Sequence, residues 1–422
     1  MASTSRIVEL SNIISHGTAQ IDVYLRENNL AQPSFEEHAR LSALPENAPA
    51  HLQQAHAAAI EASLELQQLL RGVDSLLMPS TDPTSLTAIS RFKIASQVPL
   101  DGEISFVELA EKSDMAEHDL RRIIRFAIVH HRVFREPRKG VVAHSAASRR
   151  LAESQTLRSV VGMSVDEVWP AQARTVDALV KFGKSQEPNA SGFALANNTD
   201  LPFYEYLEAF PERAQQFGGA MSGAGIAGLQ ALVDHFPWSN LPDQSLVVDL
   251  GGSQGHVSAF VADAVPSLRF IVQDLPKAIS GTDSAYRIPN SMGDRVTLMA
   301  HDFFSPQPVE GVDVFLIRYI FHNWSDEYCV KILRNLRPGL KTGSRIVIQD
   351  HLMLQPGSLP LMKERDIRSM DLIMLSLFNS RERDEDDWKT LVENADPGFK
   401  FESAKRQAEN SPSGIIIVSW NG

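Results

Sequence analysis

One histidine stands where several chemical signals converge. His322 lies in Tyr319-Ile320-Phe321-His322-Asn323-Trp324-Ser325-Asp326-Glu327, directly after an apolar run, 314–318, with the texture of a buried strand. Ser325 suits a helix N-cap, and Asp326 and Glu327 suit the positive end of a helix. That helix is expected to run to about Leu336 and stop at Pro338-Gly339. The imidazole is therefore expected at the carboxyl edge of a sheet, where open α/β folds bind ligands. Two acids fall nearby: Asp350 ends the next strand-like run, 345–349, and Glu382 lies in the polar break Asn379-Ser380-Arg381-Glu382-Arg383, after an apolar helix expected over 370–378. Such a group suits removal of a proton from a hydroxyl. A phenol, with a pKa of about 10, is a poor nucleophile at neutral pH unless a base takes its proton. Histidine does this near neutrality, and a carboxylate on its other nitrogen fixes the tautomer. The plainer alternatives are a satisfied structural histidine and two solvated surface acids.

A second constellation begins at the strand-like run 246–250, which leads into Asp249-Leu250-Gly251-Gly252-Ser253-Gln254-Gly255 and then a helix from His256. Glycines let the chain turn sharply and let a ligand approach the backbone. The spacing does not fit G-x-G-x-x-G, so a dinucleotide is disfavoured. Asp249 would repel a pyrophosphate but would hydrogen-bond a cationic amine. Asp274 ends the next strand, 25 positions on from 249 to 274, close to the offset of about 20 for an acid that takes ribose hydroxyls. Asp302 ends the third and is followed by Phe303 and Phe304. Acids at three successive strand ends suggest a ligand with an amino group, a ribose and a flat ring, which S-adenosylmethionine combines. Its sulfonium supplies the driving force for methyl transfer, so no metal is required. The bland alternative is a glycine turn that only joins strand to helix.

The elements that position these groups alternate. Strands are expected over 246–250, 270–273, 296–299, 314–318 and 345–349, with helices between, which argues for a parallel α/β sheet covered on both faces. The last two strands, 399–404 and 415–420, are joined through Asn410-Ser411-Pro412-Ser413-Gly414, too short a link for a crossover helix, so they are expected to be antiparallel. The first part has a different texture. From Arg6 to Gly72 it is helical, with a capping-box spacing at Ser34 and Glu37 and a helix over 52–70; a linker is expected over 78–84. A second capping box, Ser105 to Glu108, opens a short helix. A turn at Asp114-Met115-Ala116 follows, then a helix with Leu120, Ile123, Ile124, Ala127 and Ile128 on one face. A hairpin of 133–135 and 141–143 would complete the order of a winged helix.

Composition narrows the function. The 422 residues are 43% hydrophobic and 22% charged, which excludes a disordered chain or a collagen. A formal charge of −12 argues against a surface built to hold nucleic acid or anionic lipid. The single cysteine, Cys329, excludes an intrachain disulfide and multi-thiolate metal sites. No segment reaches the roughly 18 apolar residues of a membrane span, and residues 1–30 lack a signal-peptide core, so the expected location is the cytoplasm.

Taken in order, these pieces resemble the S-adenosylmethionine-dependent O-methyltransferases of the caffeate and isoflavone type, and most of all their fungal secondary-metabolism branch, with enzymes of the aflatoxin and sterigmatocystin pathways. The resemblance runs through the winged-helix region, Phe-Gly-Gly-Ala-Met ending at Met221, the Asp249 to Gly255 loop, Gln273-Asp274-Leu275-Pro276, His301-Asp302-Phe303-Phe304, His322 to Glu327 and Arg381-Glu382-Arg383. It implies a Rossmann-like methyltransferase domain over 241–422, connecting helices that contribute to the substrate pocket over 161–240, and a helical winged-helix dimerisation domain over 1–160. It implies that His322 is the general base, flanked by Asp350 and Glu382. Asp249 begins the cofactor motif, and Gly251, Asp274, Asp302, Phe303 and Arg318 stand at cofactor contacts. Trp324 lines either the adenine or plain core. Met221, Met374, Phe378 and Asn379 stand where the acceptor, a small hydroxylated aromatic such as a polyketide, would lie, with ordinary core the alternative for the apolar ones. A homodimer is implied. The chain departs from the family in Asn323 for the usual Asp, Arg318 where Lys is commoner, and Asp350 in place of the longer Glu of plant enzymes.

Two rival functions use the same residues differently. Some relatives keep the cofactor as a fixed positive charge and steer dehydration or pericyclic reactions, which a dry pocket permits. Alternatively, Arg121, Arg122, Arg125, Arg132, Arg135, Arg138 and Lys139 could meet nucleic-acid phosphates. The net charge and the complete small-molecule site weigh against the second.

Overall fold

The computed structural model describes residues 5–77, 83–224, 228–280, 288–407 and 411–422. The chain divides into two compact units, Met1–Asp166 and Glu167–Gly422. No helix among the described residues is long and apolar enough to cross a membrane.

In the first unit, helices Arg6–Glu27 and Ala50–Arg71 pack closely where Gly17 meets Ala55; a Cβ on Gly17 would lie 2.8 Å from the Ala55 carbonyl oxygen. The spacing of Ser34 and Glu37 does not start a helix. Ser34 Oγ accepts from the Glu36 amide at 3.3 Å, while buried Glu37 is drawn to Arg149 at 3.1 Å. The expected linker lies outside the described residues over 78–82. Its last two positions, Pro83 and Thr84, open the helix Pro83–Arg91, the place where proline's missing N–H costs nothing. The second capping box forms as expected: Ser105 Oγ accepts from the Glu108 amide at 3.1 Å, and Glu108 accepts from the Ser105 amide at 3.2 Å. It opens helix Phe106–Ser113, which ends at Asp114 in the left-handed region, and helix Glu117–His131 then buries Leu120, Ile124 and Ala127.

The hairpin is replaced by another pairing. Strand β1, Glu103–Ser105, pairs antiparallel with β2, Val141–Ala143, and 133–135 adds only the bridge Arg135–Ala143. The reason is local. Phe134 takes a φ of +67°, which breaks the extended chain, and its amide bonds the Ser145 hydroxyl at 3.1 Å. Five of the seven basic side chains in this region are paired with carboxylates of the same unit, among them Arg125 with Glu136 and Arg138 with Glu103.

The second unit is built on a seven-stranded sheet. In chain order its strands are β3 (Leu246–Leu250), β4 (Arg269–Asp274), β5 (Val296–Ala300), β6 (Val312–Arg318), β7 (Leu340–His351), β8 (Phe399–Arg406) and β9 (Ser413–Trp420). In space the order is β5-β4-β3-β6-β7-β9-β8. The first five are parallel, and β9 runs antiparallel between β7 and β8, as the short link predicts.

Both faces of the sheet are apolar, as buried parallel strands require. Val248, Leu250, Phe315, Ile317, Ile346 and Ile348 pack with helices Asp326–Leu336 and Glu385–Ala395. Val247, Val314, Leu316 and Val347 pack with helices Leu229–His235 and His256–Ala264. The helix expected over 370–378 is Leu361–Phe378, with a polar first half that carries no apolar run to betray it. Because β4 and β6 lie on opposite sides of β3, the sheet's order reverses there. The crevice beyond the carboxyl ends of β3 and β6 is where such sheets take ligands.

Candidate active site

The loop after β3 is shaped by what it cannot carry. Gly251 sits at φ +72°, and a Cβ there would lie 2.5 Å from Ile320 Cδ1, across the crevice. A Cβ on Gly252 would lie 2.6 Å from the Asp249 carboxyl carbon. The amides of both glycines donate to the Gln273 carbonyl, at 2.7 and 3.2 Å, which binds the loop to the end of β4. Asp249 is buried, and Ser258 donates its hydroxyl at 2.6 Å. Burial pushes its carboxyl up to about 6 despite that bond, with Asp274 adding to the rise. Asp274, at the tip of β4, takes the Ser253 amide at 2.8 Å and the Leu275 amide at 2.7 Å; burial raises it too. Asp302, on the next loop, is exposed and accepts from the Phe304 amide at 2.9 Å. The rings of Phe303, Phe304 and Trp324 meet edge to face, with centroids 4.7 to 6.0 Å apart. Arg318 ends β6, where Nε donates to Gln349 Oε1 at 2.7 Å. These residues fit a nucleoside-bearing cation: a cradle without side chains, acids at adjacent strand ends, and a cluster of aromatic rings.

His322 stands on a one-turn 3-10 helix, Phe321–Asn323, just past β6. Tyr319 takes a φ of +52° there, a conformation costly for a bulky residue, and turns the chain out of the sheet. His322 Nδ1 lies 3.0 Å from Glu382 Oε1. The carboxylate assigns the proton to Nδ1, which leaves Nε2 as the acceptor. Burial alone would lower the imidazole's pKa, but Asp350 and Glu382 together outweigh it and raise it above the ordinary value. The histidine bonds in turn outweigh burial at Glu382 and hold that carboxyl well below its usual range.

Asp350 lies close enough to His322 to raise its pKa but makes no hydrogen bond to it. It is 1% exposed, and neither carboxylate oxygen has a hydrogen-bond partner among the described residues. It acts on His322 through its field alone, and burial pushes it up to about 6. Ser325 departs from expectation. It stands at the N-cap, but its hydroxyl donates to the Gln186 carbonyl at 2.7 Å and does not cap the helix.

Two groups that nothing in the sequence singles out, His351 and Asp371, complete the site together with Arg383, which the sequence marks only as part of the Arg381-Glu382-Arg383 element. His351 Nδ1 reaches the same Glu382 Oε1, also at 3.0 Å. Asp371 accepts the Glu382 amide at 2.8 Å. Arg383, wholly buried, donates to Asp326 at 2.7 Å and to the carbonyls of Phe321 and Trp324 at 3.0 and 2.8 Å, so it grips the turn that carries His322.

The expected acceptor residues are less uniform. Met374 and Phe378 are buried on the helix Leu361–Phe378, where Phe378 meets Tyr204 at 5.4 Å between centroids. Asn379 caps that helix in the left-handed region and donates its amide to the carbonyls of Ser185 and Glu187. Met221 is 42% exposed on helix Pro211–Ala224.

Residues 174–400 match the family model of the O-methyltransferase domain. The grayanic acid biosynthesis cluster O-methyltransferase of Cladonia grayi is 44% identical over 421 residues, covering 99% of this chain and 88% of its own. The O-methyltransferase pyvH of Aspergillus violaceofuscus is 42% identical, covering all of both chains. Among solved structures, OxaC in complex with S-adenosylhomocysteine and oxaline shares the fold. Its TM-score is 0.76 at 19% identity, over 99% of this chain and all of its own.

Two stability tests follow from the buried charges. The rise of Asp350 from an ordinary 3.8 to about 6 means that ionising it costs the fold about 3 kcal/mol. Since the folded value is the higher one, that cost is absent in acid and complete above pH 6. Asp350→Asn should therefore melt above wild type at pH 8, with the margin shrinking toward pH 4.5 in calorimetry; a constant margin would refute the assignment. Arg383→Leu should lose about 3–5 kcal/mol in urea unfolding, because it strands the Asp326 charge and two buried carbonyls.

Proposed function

The chain belongs to the O-methyltransferase family and is an S-adenosylmethionine-dependent O-methyltransferase, and on that premise we propose that it methylates a phenolic hydroxyl of a small aromatic secondary metabolite with His322 as general base. The observation that carries this reading is the His322–Glu382 bond: it leaves Nε2 free to accept at the carboxyl edge of the sheet. S-adenosylmethionine, when bound, supplies an electrophilic methyl group on a sulfonium. The residues that would hold it are Asp249, Gly251, Asp274, Asp302, Phe303, Arg318 and Trp324. Asp274 suits ribose hydroxyls, and Trp324 and Phe303 suit the flat base.

His322 takes the hydroxyl proton on Nε2 as the oxygen is alkylated. Glu382 then faces an imidazolium and stabilises it, and the Asp350 field acts in the same sense. Both effects are strong because the group is shielded from water. On the acceptor side, Met374 and Phe378 offer an apolar wall, and Asn379 holds the loop at 185–187 in place. Met221 completes that side in this reading. The name of the Cladonia grayi relative, with its biosynthesis cluster, supports a secondary metabolite as substrate.

A homodimer belongs to the same reading. Ile7, Val8, Ile13 and Val23 on the first helix, and Leu69 and Leu70 on the second, are exposed apolar side chains that a second copy would cover. A cytoplasmic location is likewise proposed.

A panel of phenolic acceptors with labelled donor tests the activity. Formation of S-adenosylhomocysteine separates methyl transfer from cofactor-assisted dehydration or pericyclic chemistry. In the same assay His322→Ala should lower kcat by about 10²–10⁴-fold and leave cofactor affinity nearly intact. Asp274→Ala should weaken cofactor binding instead, read by calorimetric titration. Wild-type turnover in both variants would show the site to be misplaced.

A further inference from the structure

Glu382 receives two imidazoles on one atom. Nδ1 of His322 and Nδ1 of His351 each lie 3.0 Å from its Oε1, and the rings stand at 83° with centroids 5.9 Å apart. Backbone pairing sets this register. Leu352 bridges Arg383 in parallel, and the Met353 amide donates to the Arg383 carbonyl at 2.9 Å, so the segment holding Glu382 lies beside the end of β7. With Asp371 on the Glu382 amide, the carboxylate has a fixed backbone and two donors fixing its side chain. Among the described residues no other group donates to that side chain.

We propose that His351 is a positioning residue for the proton acceptor. Its Nδ1–H holds Glu382 Oε1 in line with His322 Nδ1 and shares that oxygen's negative charge, so Glu382 orients His322 without binding its proton too tightly. The inference rests on His322 being the base. A carboxylate oxygen that accepts two N–H bonds offers less charge to each. His322 then gains enough basicity to take a phenolic proton and still releases it between turnovers. The other charged and titratable groups around the pair are Asp350 and Arg318 at the strand ends, Tyr319 beside both rings, Arg383 and Asp371. All of them remain in a variant that changes only His351.

The experiment compares His351→Leu, which removes the donor, with His351→Asn, whose side-chain amide nitrogen takes the place of Nδ1. Steady-state rates are measured against pH for both substrates. The Leu variant should lose about 10–100-fold in kcat, the range seen when a supporting hydrogen bond behind a working histidine is removed, with the cofactor KM unchanged. Its acid limb should move to higher pH, because an unshared Glu382 stabilises the imidazolium more. The Asn variant should return both kcat and the limb close to wild type, which a purely structural role would not require. Wild-type kcat and limb in a folded Leu variant, or an Asn variant as impaired as Leu, would overturn the proposal. If the Leu variant does not fold, His351→Ala takes its place under the same criteria. An inactive His322→Ala beside a wild-type-like His351→Leu removes this inference alone; activity in both removes the base as well.

Discussion

A buried guanidinium holds this site together. Arg383 is fully buried, and its charge is balanced by Asp326 at the start of the following helix. Its remaining donors take the carbonyls of Phe321 and Trp324, which bracket His322. The residue before it is Glu382, and its own carbonyl receives the Met353 amide from just beyond β7. Its side chain thus joins the turn that carries the imidazole to the helix that follows that turn, and its backbone ties the segment that carries Glu382 to the end of β7. Its planar fork holds five donors in fixed directions on three nitrogens, where a lysine would bring three donors to a single rotating one. The distance between His322 and Glu382 is set by this frame rather than by the two side chains searching for each other.

The charges inside the frame are unbalanced on purpose of binding rather than of folding. Asp350 is buried with no hydrogen bond among the described residues, and Asp249, buried at the neighbouring crevice, has a carboxyl raised by its surroundings. Both acids make the folded state less stable as they ionise, and both favour a cation at the carboxyl edge of the sheet. In the proposed reaction a bound sulfonium and then a protonated His322 would both gain from that negative field. Stability given up at a site in return for a working field is a common pattern in enzymes.

Much of this was legible in the residues, for physical reasons. The strands β3, β4 and β6 are buried on both faces, so their apolar runs are continuous and easy to see. The Ser105–Glu108 box is a local motif with a local partner. The same spacing at Ser34 failed because a distant arginine outcompeted the backbone amide for Glu37, and no local pattern reports a partner at 149. The hairpin failed because Phe134 leaves the extended region, while three residues at 103–105, too short to show a period, supplied the strand. His322 was visible from its neighbours. His351 was not: its role arises from a parallel bridge between 352 and 383, a pairing with no signature in either segment. Asp350 was legible as the acid at the end of its strand, but the residue type alone does not tell that neither of its oxygens is hydrogen-bonded among the described residues.

That bridge has a consequence for how such a protein can diversify. Between Leu352 and Arg383 the chain leaves the sheet, forms the helix Leu361–Phe378 with Met374 and Phe378, and comes back to a fixed point. The excursion is closed at its base, so in the proposed reading drift along the helix would alter the contour offered to an acceptor while His322 and Glu382 at the closure keep their spacing. On that proposal selectivity and chemistry would be uncoupled within some thirty residues of one chain, and a lineage could change what it modifies without relearning how.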